Sequence, residues 1–235
     1  LEATGKGMVF FAKAMLEDKK MDFQGKRVLI TGSHYISMAV AQKILDLGGV
    51  PITFSDSSGH IYEPGGIDKA KLKTIAKIKR ERGARVGRYI IASTTAKFSE
   101  PANIFEIPCD YVFNCSRVNL MDEGDVALLA KNGCKFIVEG ALRSTTPAGQ
   151  AAAKKKGILL APFKAAAAAE GLIDRSNSSK LMPLNEGELE EKMKALFVNI
   201  SKTATEFNAR GDMVVGTDIA SFLRVADSML AHGSV

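Results

Sequence analysis

The sequence predicts an α/β protein: a doubly wound, mostly parallel sheet with helices on both faces and two long helices at the C-terminus. Three observations predict it. Between Lys26 and Asp56 the apolar run Val28-Leu29-Ile30 is broken by Thr31-Gly32-Ser33, and Ile36, Val40, Ile44 and Leu47 follow at helical spacing. A second apolar run, Val50 to Phe54, ends at Ser55-Asp56-Ser57. Strand, tight turn, helix and strand, with an acid 24 positions after Gly32, is the order of a dinucleotide-binding βαβ unit. Next, short apolar runs keep alternating with helical stretches, which builds a parallel sheet covered on both faces. Finally, Leu189, Met193, Leu196, Phe197, Ile200, Ala204 and Phe207 share one helical face near the end of the chain.

Taken in order, residues 2–18 read as a helix that buries Met8, Val9, Phe11, Ala12, Met15 and Leu16. Gly25 ends the connection to a strand from Arg27 to Thr31. After the βαβ unit, residues 57–68 are dense in Gly, Pro and Ser and read as a loop. Asp68 is placed to cap a basic helix over about 69–82. A short helix over 86–93, a strand from Thr95 to Phe98 and a loop from Pro101 to Pro108 follow. Tyr111-Val112-Phe113 reads as a strand leading into Asn114-Cys115-Ser116, a second loop of functional interest. Asp122–Lys131 is a helix stopped by Asn132-Gly133, and Phe136–Val138 is a strand ending at Glu139-Gly140. Pro147–Lys156 is helical, Ile158–Leu160 a strand, and Lys164–Ala169 an alanine-rich helix start. Asn177–Asn185 is polar and irregular. Glu186–Phe207 is one long helix, and Thr217-Asp218 caps a last one through Ala231 with Ile219, Phe222, Leu223, Ala226 and Leu230 inward. The economical organisation is one domain over residues 1–235, with no internal repeat.

At 235 residues the chain can bury a full core. It holds 46% hydrophobic and 25% charged residues, ordinary for a soluble globular protein. No apolar run approaches 18 residues, so no membrane span is expected. The start, LEATGKGMVF, lacks the parts of a signal peptide. A first residue other than Met fits a fragment, a processed chain or an engineered piece. Cys109, Cys115 and Cys134 lack metal-ligand spacing and suit a reducing compartment, mitochondrial matrix or cytoplasm. His34, His60 and His232 are scattered, so no metal site is expected.

The net charge of +6 is unevenly placed. Lys69, Lys73, Lys77 and Arg80 form one helical stripe, continued by Arg82, Arg85 and Arg88, and Lys154-Lys155-Lys156 makes a second cluster. Such a stripe is either a solvated face or a contact for phosphates of a cofactor or of nucleic acid. The turn after the first strand departs from the dinucleotide pattern. Where glycine is wanted at the third position and glycine or alanine at the sixth, the chain has His34 and Ser37.

Glu2-Ala3-Thr4-Gly5-Lys6-Gly7, Gly25-Lys26-Arg27-Val28, Ser55-Asp56-Ser57-Ser58-Gly59, Pro108-Cys109-Asp110, Glu139-Gly140-Ala141, Thr145-Thr146-Pro147 and Ala161-Pro162 together resemble the coenzyme-binding domain of hexameric glutamate dehydrogenases. The ending Gly216–Asp227 is similar too, so the resemblance covers nearly the whole chain. It implies a Rossmann-type domain binding NAD or NADP. In that reading Gly32, Ser33, His34, Tyr35 and Ile36 form the pyrophosphate turn, and Asp56 with Ser57 meets the adenosine ribose. Asp56 favours NAD, while Ser57 and nearby lysines leave NADP open. Cys115, Ser116 and Asn119 approach the nicotinamide ribose and ring. The family's catalytic lysine and aspartate belong to its other domain, outside this sequence, so no catalytic residue is expected within it.

The departures from the family gather at the ligand. The turn Gly-x-Gly-Asn-Val-Ala is Gly32-Ser33-His34-Tyr35-Ile36-Ser37. Of the loop Pro-Cys-Ala-Thr-Gln-Asn only Cys115 and Asn119 remain. The asparagine expected to face the nicotinamide ribose is Leu142, and the one that helps hold the amino acid is Ala167. Two expectations follow. In one, the domain has lost catalysis and acts as a structural or interaction component of a larger mitochondrial or ribonucleoprotein assembly, with Lys69, Lys73, Lys77 and Arg80 as candidate nucleic-acid contacts. In the other, it is the working NAD(P)-binding half of a divergent or engineered glutamate dehydrogenase.

Overall fold

The computed structural model describes residues 2–100, 102–116, 120–172 and 185–233. In chain order these form α1 (Glu2–Asp18), β1 (Arg27–Ile30), α2 (Tyr35–Asp46), β2 (Val50–Pro51), β3 (Thr53–Asp56), β4 (Gly59–Tyr62) and α3 (Lys69–Arg80). A 3₁₀ stretch over Val86–Ala92 leads to β5 (Lys97–Ser99), and a 3₁₀ turn over Ile104–Glu106 precedes β6 (Tyr111–Asn114). Then come α4 (Glu123–Lys131), β7 (Phe136–Glu139), α5 (Pro147–Lys155), β8 (Leu159–Ala161), α6 (Phe163–Ala166) and α7 (Ala169–Leu172). Two long helices, α8 (Glu186–Glu206) and α9 (Met213–His232), close the chain.

The main sheet runs β2-β1-β6-β7-β8 with every pairing parallel. Because side chains alternate along a strand, each strand feeds two cores. Val28, Ile30, Tyr111, Phe113, Phe136 and Val138 pack with Met8, Phe11, Val40, Ile44 and Met193 from α1, α2 and α8. Leu29, Val112 and Ile137 point the other way, onto Val126, Leu129 and Ala153 from α4 and α5. The sheet is thus doubly wound, and its order reverses between β1 and β6, which opens a crevice beyond their carboxyl ends.

Helix α1 packs close to its neighbours because it carries glycines where it crosses them. A Cβ added at Gly5 would lie 2.7 Å from the Cβ of Ala39 on α2, and one at Gly7 would lie 2.4 Å from that of Ala169 on α7. This gives a steric reason for the Gly5-Lys6-Gly7 motif.

Three expectations are corrected. The run from Val50 to Phe54 is not one strand. Thr53 Oγ1 accepts from Ile30 N–H (2.9 Å) and donates to Ile30 C=O (3.0 Å), taking the place of the backbone ladder, so the chain leaves the main sheet there. Residues 57–68 are not all loop. A tight hairpin turns the chain at Gly59 (φ +140°), and β4 joins β3 and β5 in a three-stranded antiparallel sheet. The glycines and proline around His60-Ile61-Tyr62 hid this short alternation. The last helix begins at Met213, capped by Asp212, whose side chain accepts from Val215 N–H. Thr217 is one turn inside it and donates to Met213 C=O at 2.6 Å. Of α9, Met213, Gly216 and Thr217 are buried, whereas Phe222 and Leu230, expected inward, are 70% and 78% exposed. The helix packs on α8 by its first turns and projects beyond them. Most of the irregular 177–185 stretch lies outside the described residues; Asn185 caps α8. No helix among the described residues is long and apolar enough to cross a membrane.

Replacing Gly7 with Val should overpack α1 against α7 and cost about 1–3 kcal/mol. Urea denaturation followed by circular dichroism would read it, and a change within error would disprove the close-packing role.

Candidate nucleotide-binding cleft

The crevice is held open by buried hydrogen bonds. Thr31 Oγ1 donates to Asn114 Oδ1 (2.7 Å) and accepts from Ser116 N–H (3.0 Å). Asn114 Nδ2 donates to Ser144 C=O at 2.9 Å. Together they tie the ends of β1 and β6 to the loop after β7. Gly32, at φ +78°, donates its N–H to Ser55 Oγ (2.8 Å), joining the turn to β3. Ser37 Oγ donates to Thr31 C=O at 3.1 Å from within α2.

His34 occupies the capping position of α2 but makes no side-chain cap. Its ring turns the other way, and Nε2–H donates to the carbonyl of Cys115 at 3.0 Å. A Cβ at Gly32 would lie 3.3 Å from that Nε2, so the imidazole lies against the turn glycine.

Asp56 stands at the tip of β3 with both oxygens engaged. Oδ1 accepts from Ser58 N–H (3.0 Å) and Ser58 Oγ (2.6 Å). Oδ2 accepts from Lys79 Nζ (3.0 Å) and Val86 N–H (2.7 Å). Burial alone would raise its pKa, but these donors outweigh it and hold the carboxyl down at about 2. Arg85 Nη1 donates to Ser57 Oγ at 2.5 Å. The result is a cleft of about 500 Å³ with Lys79, Arg80 and Arg85 on the Asp56 side and the first turn of α2 beneath it.

Of the residues singled out from sequence, Gly32, Ser33, His34, Tyr35, Asp56, Ser57 and Ser116 come together on this cleft, with Arg80 on its lip. Ile36 does not line it; it sits one position into α2, packed against the core. Cys115 is corrected: its side chain is 1% exposed and turned toward Gly140, and only its carbonyl meets a cleft residue. Burial pushes its thiol up to about 12, which disfavours the thiolate. Asn119 lies outside the described residues. Lys69 pairs with Asp46 at 2.8 Å, and Lys73 and Lys77 are exposed without lining the cleft. Lys79 was missed, although Leu72, Ile75 and Lys79 repeat at i, i+3 and i+7. A lysine continuing an apolar face is the signal of a cation turned inward. Nothing in the sequence sets Asn114 apart from its loop, since its partners Thr31 and Ser144 are distant in the chain.

A second cavity, about 980 Å³, lies past the ends of β7 and β8 and is lined by Leu120, Leu142, Pro147, Phe163 and Val214 with Arg143 and Lys164. Leu142 is 45% exposed there, Arg143 has φ +55°, and Lys164 pairs with Asp218 at 2.6 Å. Glu139, buried at the end of β7, accepts from Gln150 Nε2 (2.9 Å) and Phe163 N–H (3.0 Å), a framework role. No group of three His, Cys, Asp or Glu among the described residues could hold a metal ion.

A doubly wound sheet with a glycine turn, a helix N-terminus and an acid-tipped strand at its switch point defines a protein of the Rossmann class. The chain belongs to the Glutamate/Leucine/Phenylalanine/Valine dehydrogenase family, whose profile matches residues 1–233. It is 33% identical to the NADP-specific glutamate dehydrogenase of Chlorella sorokiniana, matching over 100% of this chain and 46% of that protein. It is 34% identical to the glutamate dehydrogenase of Bacteroides thetaiotaomicron over 100% of this chain and 54% of that one. The structure of Plasmodium falciparum glutamate dehydrogenase 2 superposes with a TM-score of 0.93 at 34% identity, covering 100% of this chain and 53% of that one. The chain thus spans about half the length of the curated relatives it matches.

Since the folded pKa of Asp56 lies below the ordinary carboxylate value of about 3.9, its contribution to stability is full above about pH 4 and disappears as pH falls toward about 2. Asp56→Asn should therefore destabilise the chain by on the order of 1 kcal/mol at neutral pH. The gap to the unmutated chain should narrow with acid in paired urea titrations; a gap independent of pH would refute the assignment.

Proposed function

We propose that this chain is an adenine-nucleotide-binding domain of the glutamate dehydrogenase type, formed by residues 1–235 together, that favours a 2′-phosphorylated ribose, as in NADP, over the free hydroxyls of NAD. One observation carries this: the acid that would accept the ribose hydroxyls has both oxygens occupied by Ser58, Lys79 and Val86, while Arg80 and Arg85 stand beside it. Guanidinium groups match a phosphomonoester in geometry as well as charge. The likeness to relatives named NADP-specific supports the same choice.

A second reading, that the domain has lost the family's chemistry and serves as a structural or interaction component, is favoured by Leu142. Its exposed side chain stands at the position that the family resemblance gives to the nicotinamide ribose, and it offers no hydrogen bond. Ala167 removes a contact to the amino acid in the same way. The projecting apolar side chains Phe222, Val225, Met229 and Leu230 of α9 support a protein partner. Lys79 and Arg85 turn toward Asp56 and Ser57, so the basic helix reads as a phosphate-binding lip rather than a track for nucleic acid.

Calorimetric titration should give tighter binding of NADPH than of NADH, and Arg85→Ala should weaken NADPH by about 1–2 kcal/mol with little change in NADH. Equal affinities that ignore the substitution would refute the phosphate reading. No binding of either would leave only the structural role.

A further inference from the structure

We propose that His34 ends the cleft at its phosphate side, so that this chain engages the adenosine-phosphate half of its ligand and leaves the rest of a dinucleotide unheld. The inference deepens the reading above and rests on the cleft being an adenine-nucleotide site. It adds that the ligand recognised has the size of a phosphorylated adenosine mononucleotide.

The geometry begins at the switch point. A dinucleotide on a doubly wound sheet must cross from one half of the sheet to the other over the turn after β1. The second glycine of the turn exists so that the pyrophosphate can approach the backbone there. Here that position carries a full imidazole, and the ring is not free to lean out into solvent without losing a bond. It is laid against Gly32 and anchored on β6 by the 3.0 Å hydrogen bond to the Cys115 carbonyl. The bond bridges the line that the pyrophosphate would follow, from the α2 side of the crevice to the β6 side.

What lies on either hand fits a divided site. On the Asp56 side the 500 Å³ cleft carries three cations and is within the roughly 300–1,000 Å³ range of small-molecule pockets by itself. On the far side the 980 Å³ cavity has Leu120, Leu142, Phe163 and Val214 in its wall together with Arg143, Thr145, Gln150 and Lys164. Among the described residues the two cavities share no lining residue. At the position that the family resemblance gives to the nicotinamide ribose, Leu142 offers neither donor nor acceptor, so a ligand that crosses gains no side-chain hydrogen bond there. Pushing the imidazole aside would cost its hydrogen bond and return little.

The test is calorimetry of the chain with adenosine 2′,5′-bisphosphate, NADPH and NADH, with NADPH fluorescence recorded in parallel. For the unmutated chain the bisphosphate and NADPH should bind within about threefold of each other, and NADPH should bind without the emission change that marks an immobilised nicotinamide. His34→Gly removes both the ring and the Cβ, and should tighten NADPH by about tenfold, or 1.4 kcal/mol, while leaving the bisphosphate unchanged. His34→Ala removes the ring alone and should give part of that gain, which covers the case in which the glycine variant folds poorly. NADPH binding tenfold tighter than the bisphosphate to the unmutated chain, with no response to either substitution, would overturn the divided cleft while leaving the nucleotide reading intact. Failure of all three ligands to bind would instead remove the nucleotide reading on which the division rests.

Discussion

Three parallel strands end in a crevice whose width is set by a short chain of buried hydrogen bonds. Ser116 N–H donates to Thr31 Oγ1, Thr31 to the Asn114 amide oxygen, and the Asn114 amide nitrogen to Ser144 C=O. Every member is buried or nearly so, and a buried polar group left unsatisfied is expensive, so these loops have one arrangement rather than several. The turn at Gly32, the approach of His34 to the Cys115 carbonyl and the separation of the two cavities all inherit their geometry from it. Removing the Asn114 amide would orphan partners on two loops at once, which makes it a structural residue despite its place in a functional loop.

The second constraint is electrostatic. Asp56 ends a strand in a position where an acid ordinarily waits for sugar hydroxyls, yet four donors converge on it from the hairpin, from α3 and from the 3₁₀ stretch beyond. The carboxylate thereby fastens the small antiparallel sheet to the basic helix. Lys79 is engaged in an ion pair with Asp56, while Arg80 and Arg85 line the mouth beside it. The two guanidinium groups therefore line the cleft beside Asp56, and the acid has become part of the wall.

Most of the architecture was legible because its signals are periodic. The two faces of β1, β6 and β7, the inward faces of α1 and α8 and the cap at Asp68 follow from spacing alone, and the structure agrees. What escaped was local and depended on distant partners. Nothing near Thr53 announces that its hydroxyl will replace a ladder with Ile30, and β4 is too short and too flanked by glycine to stand out. Helix α9 shows the opposite failure. Its apolar residues repeat at helical spacing, but spacing does not reveal whether a partner exists to cover them, and Phe222 and Leu230 stand in solvent. For the cleft, the residue types were visible and their directions were not. Cys115 and Ser116 are adjacent in the chain, yet one side chain is buried against Gly140 and the other residue lines the cleft.

Two departures from one glycine pattern have different weights once their surroundings are known. Ser37 replaces the small residue that lets the helix sit close to the strand. It is fully buried, and its hydroxyl donates to the Thr31 carbonyl, so the added polar atom is satisfied within the framework. His34 stands at the position where the dinucleotide pattern has the glycine that lets a pyrophosphate approach the backbone, and that space borders the open cleft rather than the framework. Its ring cannot be absorbed inward, and it fastens across the crevice instead. The same count of altered motif positions would follow from two serine-like changes, which would leave the crossing open. The chemistry of the site is decided less by how many glycines are missing than by which of them bordered empty space.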